Sequence, residues 1–253
     1  LDDVSSLLKL AQEYNAQGKY KEAEKVCRRA VKLDPTVPLA WFTLGNALSH
    51  QRRYAEAETE YRHAIALDPT DAGMWSSLAN VLFVQGKDSE AEAEYRRAVE
   101  LEPTTAELWL NLGGLLVRQK RFPEAETAFS RGVELKPTLA GGWYGLGSAL
   151  SGQKRFPEAE VKYRRAIELR PTHADTWSNL GFAIFSQGRV EEAEAACRHA
   201  TELDPGIASA WFTLGSALMF LRRQPEAEVA YRHAVELEPR LRDVIEQIKR
   251  QIK

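Results

Sequence analysis

Apolar residues fall into two alternating helical patterns along this chain. Within residues 38–71, Trp41, Leu44, Gly45 and Leu48 stand at i, i+3, i+4 and i+7, the stripe of one helix face. After a short polar turn, Gln51-Arg52-Arg53, a second stripe runs through Ala57, Tyr61, Ala64, Ile65 and Leu67. Pro69 follows Leu67-Asp68, and the residue before a proline is pushed out of the helical region, so the second helix ends there. The segment reads as a helical hairpin.

The hairpin recurs without insertion. Trp41, Trp75, Trp109, Trp143, Trp177 and Trp211 are each 34 residues apart, and Pro35, Pro69, Pro103, Pro137, Pro171, Pro205 and Pro239 keep the same period. The register sets repeats at 4–37, 38–71, 72–105, 106–139, 140–173, 174–207 and 208–241. A strict period of this length marks stacked repeats rather than one compact core, and such arrays work by offering a long surface. Ala23, Ala57, Ala91, Ala125, Ala159, Ala193 and Ala227 never vary, and Gly or Ala fills the slot of Gly45 in every repeat. Small residues there let two helix backbones close up while aromatic rings fill the remaining gaps. Residues 242–253, RDVIEQIKRQIK, place Ile245, Ile248 and Ile252 where an eighth repeat would hold Trp, Leu and Leu, with Lys249 in the small slot. An amphipathic capping helix is expected.

The order Trp41, Leu44, Gly45, Leu48, Ala57, Tyr61, Ala64 and Pro69 resembles the tetratricopeptide repeat family, and the resemblance covers residues 4–241. Departures are small. Leu or Ile replaces the family's usual Tyr in six repeats, only Tyr14 keeps it, and the first repeat has Leu7 for Trp and Ala11 for Gly. The resemblance implies an all-α, right-handed α-solenoid of seven helix-turn-helix repeats plus a capping helix, forming a single domain over 1–253. It also implies a non-catalytic scaffold that binds a peptide or protein segment in a concave groove lined by the first helix of each repeat.

Carried onto this chain, that groove takes Phe42 and Asn46, then Asn80 and Phe83, then Leu110, Asn111, Val117 and Arg118. It continues through Tyr144, Gly145 and Ser148, then Asn179, Phe182 and Phe185, and ends with Phe212 and Met219. These positions vary between repeats while the core slots do not. Aromatics and amides dominate, which suits an extended peptide or a helix: apolar anchors supply affinity and amides hold ligand backbone. In repeat five, Gly141, Gly145 and Gly152 are expected to leave a bare floor beneath Tyr144, with Gly114 beside it in repeat four; close helix packing is the alternative. The family's clamp for chaperone tails is absent. Asn46 and Asn80 hold its Asn slot, but its Lys positions are Phe42, Gly73 and Gly141. The inward asparagine ladder of arrays attached to protein O-linked sugar transferases is only partial, at Asn111 and Asn179. Two alternatives stay open. One is a substrate-recruiting arm of a larger enzyme such as a protein O-linked glycosyltransferase. The other is a self-assembling scaffold, suggested by Met219-Phe220-Leu221, which ends in the slot where the other repeats hold Gln.

Composition narrows the partners. A net charge of −2 gives no reason to expect nucleic acid. A basic row at Lys19, Arg53, Lys87, Arg121, Arg155, Arg189 and Arg223 is matched by Glu at two slots per repeat, such as Glu56 and Glu58. The second Glu usually precedes an Arg by four residues, as in Glu58–Arg62, which suits a solvated helix face. No apolar run approaches membrane-spanning length, and LDDVSSLLKL has no signal-peptide pattern, so a cytoplasmic location without membrane insertion is expected. Three histidines, His63, His199 and His233, share a slot with arginines, which marks an exposed surface position. None pairs with other ligands at metal spacing, no residue stands out as an activated nucleophile, and neither catalysis nor a cofactor is expected. Cys27 and Cys197 occupy one slot in different repeats and read as small buried apolar residues.

Overall fold

The computed structural model describes residues 3–252, with residues 251 and 252 described by backbone alone. The expected cap contact of Ile252 therefore lies outside the described side chains. Fifteen helices and no strand occur among the described residues. They group into two compact units, Leu1–Leu115 and Leu116–Lys253. The first contains α1 (Val4–Ala16), α2 (Tyr20–Leu33), α3 (Pro38–His50), α4 (Tyr54–Leu67), α5 (Ala72–Val84) and α6 (Asp88–Leu101). The boundary falls within α7 (Ala106–Arg118). The second contains α8 (Phe122–Leu135), α9 (Ala140–Gly152), α10 (Phe156–Leu169), α11 (Ala174–Phe185) and α12 (Val190–Leu203). It ends with α13 (Ala208–Phe220), α14 (Gln224–Leu237) and α15 (Leu241–Ile252). Inside each unit every helix packs on the next, and first helices also touch first helices, as α1 does α3 and α11 does α13. This is solenoid stacking of hairpins.

The turn inside each hairpin is more specific than a polar spacer. Gly18, Gly86 and Gly188 have φ of 72°, 76° and 81°, while the same slot in other repeats holds Arg52, Lys120, Lys154 and Arg222 at 58–62°. The first helix thus closes on a left-handed residue. Arg52 N–H donates to the Ser49 carbonyl and Arg53 N–H to that of Leu48, the two bonds of a Schellman cap. Glycine meets this geometry without a Cβ penalty, whereas Arg and Lys carry it as strain that the cap bonds hold in place.

The tryptophans hold the turns between hairpins. Each indole Nε1–H donates to the carbonyl of the proline six residues earlier, Trp41 to Pro35 at 2.8 Å and Trp177 to Pro171 at 2.8 Å among them. The two residues that beat the period are therefore bonded to each other. The small slot is explained by a ring. A Cβ added at Gly45 would stand 2.6 Å from the Tyr61 ring, and the same holds for Gly147 with Tyr163. The invariant alanines, Ala57 and Ala159 among them, have no exposed surface.

Adjacent repeats are joined by an acid. Glu58 accepts from Gln85 at 2.9 Å and Lys87 at 2.7 Å, both in the following repeat, as well as from Arg62 on its own helix. Glu24 takes Gln51 and Arg53 in the same way, Glu126 takes Gln153 and Arg155, and Glu160 takes Gln187 and Arg189. In the seventh repeat Leu221 replaces the Gln, and Arg223 Nη1 meets both Glu194 oxygens, at 2.7 and 2.9 Å. Glu228 instead receives Lys249 from the capping helix at 2.8 Å. A solvated face was expected for this Glu row; the side chains of Glu58 and Glu160 are in fact only 14% and 10% exposed. The row is a joint between repeats, and it neutralises the basic row that faces it.

These joints set an acid limit. Burial pushes the Glu58 carboxyl up, but hydrogen bonds from Lys87, Gln85 and Arg62 together outweigh it and hold the group below its ordinary 4.5. Glu24 and Glu160 are lowered by the same opposition of burial and donors. A carboxylate lowered in the folded chain binds fewer protons than its unfolded counterpart, so its stabilisation is complete above about pH 4.5 and lost as pH falls through the folded value. The melting temperature is expected to drop steeply below about pH 4.5, and a Glu24→Gln, Glu58→Gln, Glu160→Gln triple variant to show a flatter profile over that range. Thermal melts between neutral pH and acid check this.

Candidate functional site

In the first unit, α1, α3 and α5 place one edge of each hairpin on a common face. A cavity of 480 Å³ opens there, lined by Gln12, Asn15 and Ala16 from α1, by Leu39, Phe42, Thr43, Asn46 and His50 from α3, and by Ser77 from α5. Tyr61 donates its hydroxyl to Asn46 Oδ1 at 2.7 Å, which fixes the amide from behind. The Phe42 ring lies 5.7 Å from that of Tyr61, and His50 is stacked flat on Tyr20 at 4.6 Å. Asn15 Oδ1 is buried with no hydrogen-bond partner. A buried acceptor left unpaired costs about 1–3 kcal/mol, so the Asn15 side chain gains by turning its Oδ1 out to an N–H donor in the cavity it lines.

Sequence reasoning had named Phe42 and Asn46 here but missed Gln12 and Asn15. The signal was available in register. Gln12 and Asn15 stand five and eight positions after Leu7, in the register of Asn46 and Ser49. Further along the same unit, Asn80 is exposed and accepts the Tyr95 hydroxyl at 2.5 Å, repeating the Asn46 arrangement. Phe83, Leu110 and Asn111 are half-buried, and Asn111 Nδ2 reaches Ser76 Oγ at 3.4 Å. These four do not line the cavity.

In the second unit Tyr144 is the centre of a smaller arrangement. Its hydroxyl accepts from Asn179 Nδ2 at 3.2 Å, and His173 meets its ring edge-on at 5.3 Å. Burial first, and Asp175 second, push the Tyr144 phenol up, so it stays a neutral hydrogen-bonding group. A cavity of 100 Å³ lies beside it, over Gly141. Ser148 donates back to the Tyr144 carbonyl at 3.0 Å and faces the Tyr163 hydroxyl at 3.4 Å. Phe182 is 45% exposed and stands edge-on to Phe156, while Phe185 is half-buried and edge-on to Phe220. Phe212 is half-buried against the core, Val117 is half-buried and Arg118 is exposed.

Two expected site residues are packed away instead. Met219 is 6% exposed and belongs to the core formed with Leu214, Leu218, Tyr231 and Ile245. Gly145 is buried under the Phe129 ring, whose edge would lie 2.3 Å from an added Cβ, and Gly152 is likewise covered by Phe122. The expected bare floor is therefore mostly filled by this chain's own rings. Only Gly141 and Gly114 meet open space.

The chemistry on offer is hydrogen bonding and apolar contact. Among the described residues no group of three His, Cys, Asp or Glu side chains is placed to hold a metal ion, and no helix is long and apolar enough to cross a membrane. Cys27 and Cys197 are buried free thiols, each pushed up to about 12 by burial. His63, His199 and His233 are exposed and lie against Trp41, Trp177 and Trp211.

No curated protein matches the chain. Among solved structures, pilF of Pseudomonas aeruginosa is 19% identical with a TM-score of 0.73, covering 82% of this chain and 94% of its own. A tetratricopeptide repeat protein from Parabacteroides merdae is 17% identical with a TM-score of 0.71, covering 98% of each. YrrB, described as a TPR protein with an unusual peptide-binding site, is 24% identical with a TM-score of 0.58, covering 71% of this chain and 92% of its own. At these identities the likeness is one of fold. The profile of the tetratricopeptide repeat itself matches residues 8–72, 76–140, 144–206 and 208–241. With the six Trp–Pro staples, ring-on-glycine packing and stacked hairpins, the chain belongs to the tetratricopeptide repeat family.

Proposed function

We propose that this chain is a non-catalytic interaction scaffold that holds an extended peptide or protein segment along the face shared by its first helices. Proteins of this family mediate protein–protein contact, and one structural neighbour is described as having a peptide-binding site. The observation that carries the reading is the amide-walled cavity at Phe42 and Asn46, with Asn15, whose Oδ1 is buried and unpartnered, in its wall. An extended backbone supplies N–H donors at the spacing such walls need, and Phe42 supplies an apolar anchor. The aromatic strip of Phe182, Phe185 and Phe220 extends the same kind of surface in the second unit.

A photo-crosslinking residue placed at Asn46 tests this, beside one at the exposed, outward position Ala55. Partners captured from position 46 and lost in an Asn15→Leu, Phe42→Ala variant support the groove. Capture from position 55 alone removes it. A second reading, self-assembly, is favoured by the exposure of Phe182 (45%) and Phe220 (58%). Light scattering that rises with concentration, and falls back in a Phe182→Ala, Phe220→Ala variant, would identify it.

A further inference from the structure

The second helix of each repeat carries one slot that reads Val26, Glu60, Glu94, Ala128, Lys162, Ala196 and Ala230 along the chain. Where the residue is long, its side chain lies down along the outer surface. Glu60 is 13% exposed there, with its carboxylate 3.5 Å from His63 Nδ1. Glu94 is 16% exposed and reaches Arg62 of the preceding repeat at 3.8 Å. Lys162 carries its amine 5.5 Å over the Trp143 ring. Burial pushes the Glu94 carboxyl up by more than Arg62 pulls it down, which marks the slot as apolar.

Repeats four, six and seven hold only Ala in this slot, and of these three repeat six is the one where the preceding residue is also small, Ala195 against Thr127 and Val229. Ala195 and Ala196 are both small, and a hollow of 330 Å³ opens over a floor of Trp177, Leu180 and Ile184. Its rim holds Arg164, in the register position of Arg62, and His199, in that of His63. The repeats that hold a long charged side chain in the slot indicate the sign that fits it, while Arg96 and Arg198 precede only Ala128 and Ala230. Arg62 at the rim goes with Glu94 in the slot, whereas Lys162 sits behind Ser130, where the rim has no cation. Glu192 also edges the hollow, 3.8 Å from Arg164 and bonded to Arg189 at 2.5 Å. It does not exclude a second acid, because Glu90 stands in the same place beside Glu94 and is itself paired with Arg62 at 3.0 Å.

We propose that the outer hollow of repeat six receives a glutamate side chain from a partner protein, with the methylene stem on Trp177, Leu180 and Ile184 and the carboxylate between Arg164 and His199. This is a second interaction surface, independent of the face lined by Phe42 and Asn46. The stem's contact is hydrophobic. Arg164 holds Glu160 with Nε and Nη2 at 3.0 and 2.8 Å, and His199 faces Glu202 at 3.7 Å. The carboxylate is therefore received by Arg164 Nη1, as Arg62 Nη1 faces Glu94, and an acid is preferred over its amide.

The test titrates the full chain with N-acetylglutamate N-methylamide and, separately, with the glutamine compound, following the Trp177 indole and Ala196 amide by NMR. Saturable shifts are expected with the acid, at least about fivefold weaker with the amide, about 1 kcal/mol by the equilibrium relation. Ala196→Glu should keep the fold and abolish the shifts, because it fills the hollow in cis as Glu94 does. Phe42→Ala should leave them unchanged. Equal response to both compounds, no saturation in the millimolar range, or shifts that persist in A196E would each overturn the proposal. Self-association of the chain that A196E abolishes would overturn the partner assignment and make a second copy the occupant.

Discussion

Tyr163→Ala is expected to lower the stability of the second unit by about 3–5 kcal/mol, the usual loss for a buried aromatic ring. Tyr163 is 1% exposed, and its ring covers Gly147 so closely that an added Cβ would meet it at 2.6 Å. Removing it leaves a gap with Gly147, which has no side chain to fill it, on the far side. Tyr163→Phe keeps the ring and loses only the long contact to Ser148 Oγ at 3.4 Å, so about 1 kcal/mol or less is expected. Urea unfolding followed by circular dichroism gives the comparison. Because repeat arrays need not unfold in one step, the transition of each variant should be read by its midpoint and its breadth. If the alanine and phenylalanine variants unfold together, the ring is not the packing element described here.

Gly145→Gln separates packing from recognition. The Phe129 ring stands where the new side chain would start, with an edge 2.3 Å from the Cβ position. Overpacking of this kind is expected to cost about 1–3 kcal/mol. Gly141→Ala and Gly114→Ala meet nothing within 4 Å, and each should stabilise its helix by about 0.5–1 kcal/mol, the usual gain over glycine. Melting temperatures that fall for the first and rise for the other two would fix Gly145 as a packing residue. A Gly145→Gln variant as stable as the parent would restore the ligand-floor idea.

Much of the fold was legible in the sequence because packing repeats with the chain. The stripe of Trp41, Leu44, Gly45 and Leu48, the constant alanines and the prolines specify both helices of each hairpin and where each ends. What one repeat does to the next was harder to read. Glu58 looks like half of an ordinary i, i+4 pair with Arg62, and only coordinates bring Gln85 and Lys87 to it. The left-handed cap was hidden because its slot alternates between glycine and the residues Arg52, Lys120, Lys154 and Arg222, which share no chemistry with it. In the candidate site, Phe42 and Asn46 were legible as non-repeating positions on a repeating helix. A slot rule assigns direction by register, whereas Met219 is buried in the core that includes Ile245 of the capping helix and Gly145 is covered by the Phe129 ring. The place of Asn15 on this face is legible from its register with Ser49, but its missing partner has no signature in sequence.

The joint made by Glu with the following Gln and cation has a direction. Each repeat presents an acceptor forward and a donor pair backward, so copies concatenate in only one order, much as bricks with a stud and a socket do. Lengthening such a chain by duplicating a whole period leaves every existing coupling intact and adds one more. Shortening it by a whole period does the same, provided some cation, here Lys249, still meets the final carboxylate. Growth and loss in steps of one period are thus chemically silent at the seams, which leaves the variable surface free to diverge copy by copy.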